Sequence, residues 1–374
     1  DTAYLEGFAA ARHATGKATL APIDSNSNIG EFTVLHLPAG DYTLQEKTAP
    51  SGYYLNKTVY TFTVKSDGTV EWTGDTPSIV GEAGHEMGWI SDKPTRVAWL
   101  KTDDTDNKPL AGSTWTLQQK NDDAWTTLAT VADCVTDDVC STDVRYGDID
   151  PAAGRFTLTH LPVGDYRIQE QTAPNGYELS DRIYEFTITP DAPEGGIIHV
   201  NNGDAIGNER TTGFVSWMKT ATGENSALSG SEWKLTYTSY DTKAATVICK
   251  LTDGASSCTD AAGAALPEQP AWSTQRDPVE GRFSYEELPW GDYTLVETKA
   301  PDGYYLSDTE YTFTIGPNAN NGFTFTVDLG NIENEPGVIL PSTGGTGHHY
   351  AMVAGMALTM LALLGCALAT RKHS

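Results

Sequence analysis

The feature that most constrains the fold is one sentence written three times. "GDYTLQEKTAPSGYYLNKTVYTFTV" starts at Gly40, "GDYRIQEQTAPNGYELSDRIYEFTIT" at Gly164 and "GDYTLVETKAPDGYYLSDTEYTFTI" at Gly291. The Glu six positions after each Gly (Glu46, Glu170 and Glu297) recurs at intervals of 124 and 127 residues. A period this long exceeds that of solenoid repeats, so it predicts tandem domains. Around the copies, segments such as "FTVLHL", "RFTLTHL", "YEFTIT" and "FTFTVDL" alternate apolar and polar residues. They are broken by "PAGD", "PVGD" and "PWGD" turns, which reads as antiparallel strands. No amphipathic helix stands out before the C-terminal region. The expectation is all-β, with three tandem immunoglobulin-like or prealbumin-like β-sandwiches followed by a C-terminal transmembrane helix.

Further landmarks set the boundaries. "VAWLKTD" from Val97 and "VSWMKTA" from Val215 each open a repeat. "LAGSTW" and "LSGSEW" follow, with Leu110 and Leu228 nine residues after Lys101 and Lys219. "ISDKP", "IGNER" and "IENEP" close the three repeats and align Asp92, Asn208 and Asn334. The expected domains are residues 1–94, 95–210 and 211–336, with 337–374 as a separate tail. Linkers this short predict stiff joints.

The tail carries the most specific motif. "LPSTG", Leu340, Pro341, Ser342, Thr343 and Gly344, precedes an apolar run at 350–370 and the basic "RKHS". The run is long enough for a helix to span a hydrocarbon core of about 30 Å, and Arg371 and Lys372 would hold its end on the cytoplasmic side. This order resembles the cell-wall sorting signal of Gram-positive bacteria. The resemblance implies that a sortase cleaves between Thr343 and Gly344 and joins the Thr to an amine, so that the span is transient. An exported protein needs a secretion signal; Asp1 is no initiator and no such signal follows, which predicts a fragment or processed form.

The five cysteines suit an oxidising compartment. Cys134 with Cys140, and Cys249 with Cys258, fall in corresponding parts of two repeats, before the "GRF" strand, and predict two local disulfides. Their spacings fit zinc poorly and no His lies close by, so no metal is expected. Cys366 lies in the apolar run.

Each complete repeat thus carries a Lys on its first strand, a Glu in its middle and an Asn on its last: Lys101, Glu170 and Asn208, then Lys219, Glu297 and Asn334. With "EKTAPSGY", "EQTAPNGY" and "ETKAPDGY" and the closing segments, residues 1–336 resemble the B-type repeats of collagen adhesins and the prealbumin-like domains of Gram-positive pilins. The resemblance implies a spontaneous Lys–Asn isopeptide bond inside each domain, with the Glu as its single-turnover catalyst. Adjacent terminal strands would present amine and carboxamide at high effective concentration. Burial disfavours the ammonium, and a Glu driven toward its protonated form would relay protons while ammonia leaves. The plainer alternative is that Lys and Glu are ordinary strand residues, the Lys stem snorkelling and the Glu in an exposed ion pair. The first repeat departs from the pattern. Its closing residue is Asp92, which could react with loss of water, and its Lys is missing: Leu5 aligns with Leu110, and nine residues earlier falls before residue 1. Lys17 is the nearest substitute, on the wrong side of that landmark. The expectation there is no bond and the lowest stability of the three.

The functional expectation is a mechanically stable, wall-anchored stalk, either a minor pilin or an adhesin. Its expected partners are sortase and peptidoglycan or another pilin subunit. A "YPK"-type motif, which the resemblance would assign to shaft subunits, is absent from this sequence. The alternative is an adhesin whose β-domains recognise host matrix protein or glycan, with Trp72, Trp125 and Trp272 as places to look; a third reading is an enzyme whose catalytic domain lies upstream. Within the sequence no phosphate loop, nucleophile elbow or triad stands out. "KTDDTDNKPL" lacks the Gly and distal Glu of a calcium loop and reads as a turn. "GTGHHY", with His348 and His349, lies past the cleavage point, and His85 and Glu86 read as loop. A formal charge of −26, from 24 basic and 50 acidic residues, argues against nucleic acid and anionic membrane surfaces. No cofactor is expected.

Overall fold

The computed structural model describes residues 11–12, 29–34, 37–80, 87–136, 140 and 145–337. The expectations for Leu5, Lys17, His85, Glu86, the sorting motif, His348, His349, the apolar span and Cys366 lie outside these residues. Among the described residues there is no α-helix, only short 3₁₀ turns such as Ala271–Ser273, and no helix long and apolar enough to cross a membrane. The chain divides into two compact units, residues 1–211 and 212–374.

In the first unit, Gly40–Gln45, Val59–Val64 and Val70–Trp72 form an antiparallel sheet. Beyond it, two sheets face each other. One is built on Arg96–Asp103, which pairs antiparallel with Arg155–Thr159 and parallel with Ile198–His199 and Ile206–Asn208. The other runs Ile183–Ile188, Gly164–Thr172, Thr114–Asn121, Ala124–Ala132 in spatial order. Alternation supplies the core between them: Val97, Trp99, Phe156 and Leu158 from one sheet meet Trp115, Leu117, Tyr166 and Ile168 from the other. Stacked Trp99 and Phe156, centroids 4.7 Å apart, lie edge-on to Trp115.

The second unit repeats the plan. Gly213–Ala221 lies between Arg282–Leu288, antiparallel, and Thr326–Asn334, parallel. The facing sheet is six-stranded and centred on Glu232–Ser239 and Gly291–Lys299. The sequence predicted antiparallel strands; the first and last strands of each plan are instead parallel neighbours. Alternation reports which face is buried but not direction, which is fixed by how the chain returns.

Within the first unit the segment after the first "TAP" docks on residues 95–191. Tyr54, 2% exposed, joins the larger core. The Gly52 carbonyl accepts Thr95 N–H at 2.9 Å, Leu55 N–H donates to Pro190 O at 2.9 Å, and Lys57 pairs with Asp191 at 2.7 Å. Gly52 has φ +89°, and a Cβ there would stand 2.7 Å from the His160 carbonyl oxygen, so the close approach requires glycine.

Both predicted disulfides are formed, but their settings differ. Cys249 and Cys258 are directly opposed on paired strands. Cys134 and Cys140 close a loop beyond Ala124–Ala132, where buried Asp148 accepts the N–H groups of Cys134 and Thr157 and ties the loop to the "GRF" strand. "KTDDTDNKPL" forms a turn closed by Asn107 N–H to Asp103 O. Trp72, Trp125 and Trp272, which as ligand-contact candidates are expected to be exposed, are instead half-buried in the first two cases and buried in the third. Trp272 is 8% exposed, edge-on to Tyr237 and Tyr293; Trp72 packs on Phe62; and Trp125 is covered by the Arg167 guanidinium. An aromatic in a strand gains more from covering the sheet than from solvent.

Candidate functional site

Period-2 alternation carries the lysines inward. Val97, Trp99 and Lys101 share one face of their strand, as Val215, Trp217 and Lys219 do of theirs, and both lysines are 0% exposed. Snorkelling is thereby ruled out. On the facing sheet Tyr166, Ile168 and Glu170 point in, as do Tyr293, Leu295 and Glu297; the two glutamates are 4% and 2% exposed.

Register completes the set. Lys101 lies opposite Ile206, and Asn208 opposite Asp103; Lys219 lies opposite Ile332, and Asn334 opposite Ala221. In each case the amide is two residues further along the neighbouring parallel strand and on the same face, within reach of a long side chain. In the second repeat Lys101 Nζ donates to Asn208 Oδ1 and stands 3.3 Å from Glu170 Oε1, while Asn208 Nδ2 donates to Glu170 Oε2 at 2.8 Å. In the third, Asn334 Nδ2 donates to both Glu297 oxygens at 3.1 and 2.9 Å. Lys219 Nζ there donates to the Ile332 carbonyl at 2.6 Å, and Asn334 Oδ1 is buried without a hydrogen bond. The structure thus brings together the three residue types that the sequence aligned.

Burial pushes both lysines below the ordinary ammonium range, with the attraction of Glu170 and Glu297 opposing it. A neutral amine beside an amide carbonyl can attack it, and a carboxyl bridging to the amide nitrogen can move the protons. Each Glu is also fixed by a backbone N–H ten residues on: Asn56 to Glu46 at 2.7 Å, Ser180 to Glu170 and Ser307 to Glu297 at 3.1 Å.

Two elements of the site were not recognised from sequence. Trp115 and Trp233 sit directly across from Glu170 and Glu297, fully buried, with Nε1 donating to Ser113 and Ser231 at 3.0 Å. The Trp115 ring centroid is 5.6 Å from Lys101 Nζ. These are the Ser-x-Trp ends of "LAGSTW" and "LSGSEW", so their recurrence was the available signal. A register shift also follows each Glu, between Glu170 and Thr172 and opposite Glu232–Trp233, and such a bulge re-aims a side chain.

The first repeat brings Glu46 beside Asp92, near enough for each carboxyl to act on the other's proton affinity. Burial, with the neighbouring Asp92 adding to it, pushes Glu46 up to about 7 against the N–H of Asn56; burial also raises Asp92. No lysine joins them among the described residues.

The sequence profile of the family described as "SpaA: Prealbumin-like fold domain" matches residues 11–76, 95–202 and 213–333, and the chain belongs to that family. A curated relative, the "Fimbrial subunit type 2" of Actinomyces naeslundii, is 40% identical over 85 residues, 22% of this chain and 15% of the relative. Among solved structures, "The Bacillus anthracis TIE protein" aligns at 19% identity and TM-score 0.39, covering 80% of this chain and 42% of that one. The "Streptococcal ancillary pilin" aligns at 20% and 0.26, covering 81% and 77%. The "shaft pilin spaA from Lactobacillus rhamnosus GG" aligns at 16% and 0.24, covering 66% and 98%.

Proposed function

We propose that this member of the SpaA prealbumin-like family is a surface stalk, a minor pilin or adhesin whose second and third domains crosslink themselves. The domains are residues 1–94, 95–210 and 211–336. The observation that carries the reading is the buried Lys–Glu–Asn set held between first and last strands, present twice with the same register. In the reaction, neutral Lys101 Nζ attacks Asn208 Cγ. The new Cγ–Nζ bond replaces Cγ–Nδ2, Glu170 takes a proton from the amine and returns it to the leaving nitrogen, and ammonia departs. Lys219, Glu297 and Asn334 do the same. The chain enters each domain on the opening strand and leaves after the closing one, so the bond passes tension from Lys101 to Asn208 and spares the intervening residues. The tail beyond residue 336 is the sorting signal, cut by sortase between Thr343 and Gly344 and joined to peptidoglycan or another pilin subunit on a Gram-positive surface.

Intact mass of the chain with disulfides reduced tests the crosslinks. The expected mass is below that of the sequence by two ammonia molecules, one restored by Glu170→Ala and the other by Glu297→Ala. The full sequence mass would refute the reading.

A further inference from the structure

The second repeat holds its closing amide on far less strand than the third. Asn334 ends a nine-residue strand, Thr326–Asn334, paired along Gly213–Ala221. Asn208 ends a strand of three residues, Ile206–Asn208. The earlier paired segment, Ile198–His199, is separated from it by the turn Val200–Gly203, in which Asn201 and Asn202 both have φ +56°. So short a parallel pairing is a weak hold on register. A slip of one residue would turn Asn208 to the far face of the sheet, away from Lys101 and Glu170.

A charged clamp lies just past the amide. Asp103 stands opposite Asn208 on the opening strand. Its Oδ2 accepts Arg210 Nε at 2.7 Å and the Tyr177 hydroxyl at 2.8 Å, while Oδ1 accepts Thr105 N–H at 2.7 Å. Arg210 Nη2 is also 3.5 Å from Asp106 Oδ2. The Asp103 and Arg210 side chains are 3% and 11% exposed, a setting in which a charge-assisted bond fixes geometry. Burial alone would raise the Asp103 carboxyl; the Thr105 N–H, Arg210 and Tyr177 outweigh it and hold the group below the usual carboxylate range. Asp104 adds to the hold. Its N–H donates to Asn208 O at 3.1 Å, and its carboxylate covers Gly207 so closely that a Cβ there would overlap it.

The other repeats are built without this clamp. In the third, the residues two past the lysine and two past the amide are Ala221 and Pro336, with Tyr304 in the place of Tyr177. In the first, Pro94 takes the place of Arg210. Between the second and third repeats, the ion pair goes with the short closing strand. We propose that Asp103, Arg210 and Tyr177 are positioning residues for the second repeat's crosslink. The clamp fixes the register of Ile206–Asn208 against Arg96–Asp103 and so holds the Asn208 amide carbon at Lys101 Nζ before the bond exists. The inference rests on the crosslink reading of that repeat and adds no chemical step to it. Once the amide has formed, the covalent tie keeps the same register and the clamp is redundant.

The test follows the full chain from cell-free synthesis. Ammonia loss is read as intact mass over time with disulfides reduced, and peptide mapping assigns it to Lys101–Asn208 or Lys219–Asn334. Arg210→Pro removes the guanidinium at a position where the other repeats carry proline, and Asp103→Asn removes the charge while keeping the shape. Each should slow the second repeat's ammonia loss about 10- to 100-fold, the scale on which a small misplacement of reacting groups acts. The third repeat's rate should stay unchanged. Arg210→Lys, which keeps the charge, should recover most of the rate. Fully crosslinked Arg210→Pro should resist protease across residues 95–210 as wild type does, a result that a merely structural role would not give. Wild-type rates in both variants overturn the proposal, as does equal slowing in the third repeat or protease sensitivity that persists after crosslinking. Ammonia loss from both wild-type repeats with unchanged variant rates sinks only the clamp, whereas no ammonia loss in wild type sinks the crosslink reading with it.

Discussion

On the proposed crosslinking, replacing Glu170 by Gln removes the proton relay while keeping a group that Ser180 N–H and Asn208 can bond. Lys101 and Asn208 then stay separate across 107 residues of chain. Loop-closure entropy for a loop of that length gives about 4.8 kcal/mol lost with the crosslink. A second penalty follows, because the Lys101 ammonium, fully buried, loses the Glu170 carboxylate 3.3 Å away and keeps only the weaker pull of Asp104 among the described residues; breaking a buried ion pair costs about 3–5 kcal/mol. The two separate in Lys101→Met/Glu170→Gln, where a side chain of similar volume removes the charge without restoring the bond. In a cooperative unit the size of residues 1–211, about 4.8 kcal/mol lowers the melting temperature by roughly 10–20 °C. Calorimetry with intact mass is the assay. Both variants should regain the ammonia missing from wild type, the double variant melting below wild type by that interval and Glu170→Gln lower still. If Glu170→Gln has lost the ammonia, or if the double variant melts with wild type, the reasoning fails.

Other consequences can be checked on the same material. Trp115→Ala opens a cavity across from Glu170 and should cost about 3–5 kcal/mol, with the ammonia loss slowed in a time course of intact mass. Gly52→Ala forces a Cβ against the His160 carbonyl at a φ of +89° and should cost at least about 1 kcal/mol, read as faster amide exchange at Thr95, whose N–H bonds Gly52. Glu46 binds its proton more tightly folded, at about 7, than at the ordinary 4.5, and Asp92 shifts the same way. The first repeat is therefore most stable below about pH 4.5 and loses stability as the pH climbs through 7. Pulse proteolysis scored within residues 37–80 should show this, and Glu46→Gln should flatten it. Replacing Cys249 and Cys258 by Ser frees a loop of separation 9 and should cost about 2–3 kcal/mol in calorimetric stability.

The sequence by itself determined the repeats, the recurring Lys, Glu and Asn and the two disulfide pairs, and left to the structure whether the lysines and glutamates point inward. Each is a local property: alternation at period 2 assigns Val97, Trp99 and Lys101 to one face whatever they pair with. Repetition then marked Lys, Glu and Asn as a set, since chance does not preserve a buried charge in order. Only the tertiary structure decided that the terminal strands run parallel with the amide two residues ahead of the lysine, that Glu170 arrives from the facing sheet over Trp115, and that Tyr54 packs into the core of the repeat that follows. These depend on register, strand direction and which faces meet, set by long-range packing that alternation leaves open. Trp272 makes the same point: its sequence surroundings are those of a loop, and it is buried because Tyr237 and Tyr293 offer it an apolar, edge-on seat.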